Sequence, residues 1–396
     1  MKRRAPQPQR ISRYRPPQTE PRRTHLTGLI LTGSLLIGLV GTLGLTFAVA
    51  LSASTGKHAD TRGETAPTFA AISAPVESRE EPTEIPPTPT AEPTPTAQPA
   101  SPPDVSAQAA FALDADTGEA LIALNPDEQR PIASLTKMVS ALVVANALGE
   151  GIVSLADEVV IEDADIVDVT VYSHMGLVAG DTLTVEQLLD GMLIPSGNDA
   201  AKALARYVGT QLAGGEEGDP TAAFVAAMND VVAELGLQDT QFGTPDGDDD
   251  EGNYSTARDL AQIGARVMES RLLARIVAIP QVTMTSVGPE RRQFELFNTN
   301  YLLNQSGIDG VKTGTTAGAG ACLVASTLLP DGRRVVVVVL GSDLDPADAA
   351  GDPLDWPRFA DARAIIDQIE TSREHGGRTA AIPRRPGTTE RITTRV

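Results

Sequence analysis

At 396 residues the chain is long enough for two or three average domains, but its composition withdraws much of it from any core. The net charge of −20 divides unevenly, +7 over residues 1–51 and −27 beyond, and so acidic a surface repels phosphate backbones and excludes nucleic acid as a partner. The single cysteine, Cys322, excludes an intrachain disulfide and a thiolate zinc cluster, so no metal or other cofactor is expected.

Residues 1–25 form a basic leader, with Lys2, Arg3, Arg4, Arg10, Arg13, Arg15, Arg22 and Arg23 against Glu20 alone. Leu26 to Leu51 carries no charge. As a helix it would reach roughly 39 Å, enough to cross a ~30 Å hydrocarbon core with some tilt. The positive flank places the leader in the cytoplasm and the remainder outside. A cleavable signal is the competing reading, because Ala48-Val49-Ala50 resembles a small-x-small cleavage site. Residues 52–104 read as a Pro/Thr-rich disordered linker, extended and solvated, able to span on the order of 150 Å.

Order is expected from residue 105 to 370. Two short strands flank Asp116-Thr-Gly118, a hairpin signal. Ile132, Leu135, Met138, Leu142, Val143 and Ala147 recur at helical spacing, with Gly149 as the stop. Further helices are predicted at 185–193, 199–208 and 221–235. Strands follow at 310–314, 321–328 and 334–340, the last two joined by Pro330-Asp331-Gly332. A last helix runs from about Trp356 to Ile369, and residues 371–396 read as a disordered tail. No internal repeat is present. The sum is an α+β domain: a five-stranded antiparallel sheet joining both ends of the sequence, flanking helices and a helical subdomain.

Three short motifs carry the chemistry. Ser134-Leu-Thr-Lys137 is an S-x-x-K at a helix start, which sets the amine within reach of the hydroxyl. Alone it is weak, since Ser54-Thr-Gly-Lys57 repeats the pattern in the linker and an N-cap serine with a surface lysine explains most such matches. Ser196-Gly-Asn198 adds a second hydroxyl and an amide at a helix–loop junction. Lys312-Thr313-Gly314, followed by Thr315, puts a cation and hydroxyls on a strand whose edge can pair with an extended peptide, with Gly314 admitting the substrate to the backbone. The chain has five lysines against 27 arginines, and two of the three in the expected domain fall in these motifs. A lysine kept where the sequence otherwise uses arginine points to a titratable amine.

This trio is shared by penicillin-binding proteins and serine β-lactamases. Together with Ala133-Ser-Leu-Thr-Lys-Met138, Met175-Gly176, Gly180-Asp181, Pro195-Ser-Gly-Asn-Asp-Ala200, Tyr254-Ser-Thr-Ala-Arg-Asp-Leu260 and Asp309-Gly-Val-Lys-Thr-Gly-Thr-Thr316, it resembles the serine D-alanyl-D-alanine carboxypeptidases, the low-molecular-mass penicillin-binding proteins. The resemblance implies the penicillin-binding/β-lactamase-like transpeptidase fold. Ser134 would be the acylated nucleophile and Lys137 its base, with Ser196 and Asn198 as the second element. Lys312 and Thr313 would hold the substrate's terminal carboxylate, and the N–H groups of Ser134 and Thr315 the oxyanion. Peptidoglycan stem peptides would be substrates, β-lactam antibiotics covalent inhibitors, and the site a single-pass protein of a bacterial cell membrane with its domain outside. Two departures stand out. No arginine lies in Gly341-Ser-Asp-Leu-Asp-Pro346, where some members carry one for the carboxylate, and Pro245-Asp246-Gly247-Asp248 replaces the common Pro-His-Gly-Leu. The alternatives are a serine β-lactamase, for which residues 199–311 lack a Glu-x-x-Leu-Asn deacylation base, and a catalytically silent module binding cell-wall peptides.

Overall fold

The structure is a computed structural model that describes residues 98–379, apart from 216–217, 250–251, 306 and 347–350, with side chains to residue 373. Among the described residues no helix is long and apolar enough to cross a membrane. The leader, the apolar stretch 26–51 and the Pro/Thr segment to residue 97 lie outside them.

Strands β1 (Ala109–Asp114) and β2 (Ala120–Leu124) form the expected hairpin. The Asp114 carboxylate accepts the N–H groups of Asp116 and Thr117, and Gly118 takes φ +76°, a conformation that costs glycine nothing. A 3-10 turn at Ala133–Thr136 leads into α1 (Lys137–Gly149). Next come β3 (Glu158–Val160) and β4 (Thr182–Thr184), a small antiparallel pair. Helix α2 (Val185–Leu193) starts at a Thr184/Gln187 capping box, and α3 (Asn198–Leu212) follows Gly197. Asp219 caps α4 (Pro220–Glu234), with proline at its first position. Thr256 caps α5 (Ala257–Glu269), and Ser270 caps α6 (Arg271–Val277). A second hairpin, β5 (Gln281–Thr285) and β6 (Gln293–Phe297), precedes β7 (Ile308–Thr316), β8 (Gly320–Leu328) and β9 (Arg334–Ser342). The last helix is α7 (Pro357–Thr379).

The main sheet runs β2-β1-β9-β8-β7, every pair antiparallel. β9 lies at its centre, and its valine run is buried on both faces. Val336, Val338 and Leu340 face α1 to α6, while Val335, Val337 and Val339 face α7. That explains why this strand shows no polar alternation. β7 is the edge strand, so one side of its backbone faces the helical subdomain rather than another strand.

Two expected boundaries move. Ala100 bridges to Ile122 in parallel and exchanges backbone hydrogen bonds with Leu121 and Ala123, both at 3.0 Å, so residues 98–104 belong to the folded unit and not to the linker. Residues 371–379, expected in a disordered tail, continue α7. Arg373 explains part of this, since it reaches back to the buried Asp114 at 3.2 Å.

Candidate active site

Ser134 sits on the 3-10 turn and Lys137 at the first position of α1. Three residues per turn stack positions i and i+3 directly, closer than the α-helical face expected from the sequence. Lys137 Nζ lies 2.8 Å from Ser134 Oγ, 2.7 Å from Asn198 Oδ1 and 2.6 Å from the Asp246 carbonyl oxygen. The lysine side chain is fully buried. Burial pushes its pKa down to about 8, although the carboxylates of Asp246, Asp199 and Asp248 favour the charged form. Asn198 and Asp246 can only accept here. A neutral amine therefore gives both its protons to them and turns its lone pair to the Ser134 hydroxyl. That arrangement activates a serine.

The turn bearing Ser134 is locked from two sides. A side chain on Gly247 would meet the Ala133 carbonyl oxygen at 2.1 Å, and one on Gly314 would meet the Ile132 carbonyl oxygen at 2.8 Å and Ser134 N at 3.1 Å. Gly314 was expected to admit substrate. It lines the cavity, and its missing side chain also lets β7 approach the backbone of Ser134. Ala133 and Ser196 both adopt left-handed φ, +50° and +66°, strain of order 1 kcal/mol each that the surrounding packing sustains. Asp199 anchors the far wall, its buried carboxylate accepting the N–H groups of Met175, Gly176 and Leu177, each at 3.0 Å.

A cavity of about 200 Å³ opens over Ser134 and is lined by Ser196, Thr313, Gly314 and Thr315. Asn198 lines a neighbouring cavity of about 260 Å³ that shares Ser134 and Thr315. Lys312 is buried, 1% exposed, and donates to the Thr313 carbonyl oxygen at 3.0 Å. Burial first, then the charges of Lys137 and Arg358, hold its pKa well below the ordinary lysine range. The hydroxyls of Thr313 and Thr315 line the first cavity beside Arg358.

Sequence reading missed Arg358. It stands at the start of α7, beyond the stretch searched for a carboxylate-binding arginine, and it lines the first cavity. Its five N–H donors are all engaged. Nη1 donates to the carbonyls of Gly314 and Cys322 at 2.8 and 3.2 Å, Nη2 to Thr315 Oγ1 at 2.7 Å and to Asp345, and Nε to Asp345 Oδ1 at 3.1 Å. Tyr301 packs edge-on against both Trp356 and Phe359, and the three rings line that end of the cavity. Next to Met175 in the chain, His174 has a buried Nδ1 without a hydrogen-bond partner among the described residues.

Known proteins share this architecture. The family profile described as D-alanyl-D-alanine carboxypeptidase matches residues 96–344. A D-alanyl-D-alanine carboxypeptidase of Streptomyces sp. (strain K15) is 36% identical over 251 residues, covering 62% of this chain and 84% of that protein. DacA of Haemophilus influenzae, also named a D-alanyl-D-alanine carboxypeptidase, is 35% identical over 61% of this chain, which spans 58% of its length. Among solved structures, the Streptomyces K15 DD-transpeptidase superposes with a TM-score of 0.60 at 32% identity, covering 69% of this chain and all of that one. Penicillin binding protein 5 from Haemophilus influenzae gives 0.57 at 32% identity, covering 68% and 72%. With its S-x-x-K, S-x-N and K-T-G elements gathered on one cleft, the chain belongs to the D-alanyl-D-alanine carboxypeptidase family.

Proposed function

We propose that the protein is a serine D,D-carboxypeptidase that removes the terminal D-alanine from peptidoglycan stem peptides. The observation that carries the reading is the buried Lys137 amine, held by two acceptors and facing Ser134 Oγ at 2.8 Å. The substrate lies antiparallel or parallel along the open edge of β7, with its terminal carboxylate over Thr313 and Thr315 and the positive field of Arg358 behind them. Ser134 Oγ attacks the carbonyl carbon of the penultimate residue as its proton passes to Lys137 Nζ. The N–H groups of Ser134 and Thr315 take the oxyanion. The C–N bond breaks as the proton returns to the leaving amine, through Lys137 or the Ser196 hydroxyl. Free D-alanine departs, and water hydrolyses the ester to restore Ser134. β-Lactams acylate the same serine, but their leaving group stays tethered. Mass spectrometry of a stem pentapeptide incubated with the protein tests the reading: loss of one D-alanine supports it, and an unchanged peptide refutes it.

The charge asymmetry of the N-terminal 51 residues and the apolar stretch 26–51 support a single-pass anchor with the catalytic domain outside a bacterial membrane. The Pro/Thr segment would then hold the domain off the surface. N-terminal sequencing of the cell-derived protein decides between this and a released enzyme beginning near Ser52.

A further inference from the structure

The two cavities that share Ser134 differ in charge. The leaving-group side carries Arg358 paired with Asp345, whereas the other, of about 260 Å³, is walled by Asp248 and Asp249, with Val171 and Tyr172 beside them and no lysine or arginine among its lining residues to offset them. Both carboxylates are exposed, and both are held in place. Asp248 Oδ2 accepts the Tyr172 hydroxyl at 3.0 Å, and Asp249 Oδ2 accepts Gly318 N–H at 3.2 Å, tying the loop to the β7–β8 turn. At Gly247, just before Asp248, a Cβ would lie 2.1 Å from the Ala133 carbonyl oxygen, so the loop packs directly on the turn that carries Ser134. The acids therefore stand at a fixed offset from the nucleophile. Val171 is 68% exposed and adds apolar surface on the same wall.

Given the reaction proposed above, the leaving residue occupies the Arg358 side, so the acyl half of the substrate must enter this second cavity. We propose that Asp248 and Asp249 are specificity residues for that half, selecting an acyl-side residue whose alkyl side chain ends in a free ammonium. Val171 and the Tyr172 ring take the alkyl stem, and the carboxylates take the charge. A diamino-acid residue with an unmodified side-chain amine has this chemistry. The same residue acylated at that amine, as in a cross-linked peptide, does not. The enzyme would then discriminate between uncross-linked and cross-linked acyl strands at a point remote from the scissile bond.

The test uses the full chain and two peptides differing only in that charge, Nα-acetyl-L-Lys-D-Ala-D-Ala and Nα,Nε-diacetyl-L-Lys-D-Ala-D-Ala. The wild-type protein should favour the free amine by about 5-fold or more in kcat/KM, and the preference should shrink as ionic strength rises. In Asp248→Asn, Asp249→Asn and the double variant the ratio should fall towards one. Because Asp248 also favours the charged form of Lys137, the ratio within each variant is read rather than the rate, and penicillin labelling of Ser134 confirms that each variant is folded. A wild-type ratio of one, or a ratio unaltered by salt and by both substitutions, overturns the proposal while leaving D-alanine release intact. Turnover of neither peptide removes the carboxypeptidase reading and this proposal with it.

Discussion

Lys137 and Asn198 stand 61 positions apart in the chain, and their side chains meet at 2.7 Å from Nζ to Oδ1. The contact takes one proton of the amine and leaves its lone pair for Ser134. Because the lysine titrates at about 8, penicillin acylation should rise ~10-fold per pH unit below that value and level off above it. Asn198→Asp would set a carboxylate against Nζ and raise that pKa, so the ascending limb should move up by about 1 unit or more. An unmoved limb would show that another group titrates.

Ser134 and Lys137 should behave as a unit. Ser134→Ala should abolish labelling by a fluorescent penicillin. Lys137→Arg keeps a charge but loses the base, and acylation should fall at least ~10²-fold in stopped-flow measurements.

Arg358→Lys keeps the charge and loses the planar fork that joins Gly314, Cys322, Thr315 and Asp345. kcat/KM for a peptide ending in free D-alanine should fall by roughly 10-fold, because Thr315 Oγ1 and the Gly314 carbonyl lose the N–H groups that hold them under the substrate carboxylate. The same peptide ending in D-alaninamide should lose much less, and equal losses would argue against a carboxylate role.

Gly314→Ala places a methyl 2.8 Å from the Ile132 carbonyl oxygen, a backbone atom with no room to yield. About 1–3 kcal/mol of stability should be lost, and acylation should drop with it, because the displaced backbone carries Ser134. Thermal melts and penicillin labelling measure the two effects separately.

Asp190 lies away from the cleft. Burial, with repulsion from Glu186, raises its pKa to about 6. The unfolded chain gives up that proton near pH 4, so the folded state loses stability as pH rises from about 4 to beyond 6. Discounted for partial exposure, the loss is roughly 1 kcal/mol. Asp190→Asn should raise Tm at pH 7.5 and hardly change it at pH 4.

Sequence alone revealed the elements whose signals are local. Asp116-Thr-Gly118 marked the first hairpin, the apolar period marked α1, and Lys312-Thr-Gly314 marked β7. β5 and β6 escaped notice because their half-buried residues, such as Val282 and Met284, alternate with glutamine and threonine over five positions only. α5 and α6 were passed over despite caps at Thr256 and Ser270. The site divided along the same line. Ser134, Lys137, Ser196 and Asn198 belong to short motifs, whereas Arg358 reaches the cleft across 44 positions from Gly314, and no local pattern ties the two together. The need for glycine at 247 and 314 is likewise a contact between distant segments.

The pairing of Ala109 with Leu340 sets the order in which this molecule can assemble. β1 gains its inner neighbour only after more than two hundred further residues have been made, so the sheet is dominated by remote contacts and its formation should be slow. The 3-10 turn bearing Ser134 rests on β7, and β7 rests on β8 and β9. A nascent or truncated chain lacking β9 would carry every residue of the S-x-x-K and S-x-N motifs and still hold no reactive serine. Catalytic competence in this architecture arrives last, with the closing of the sheet.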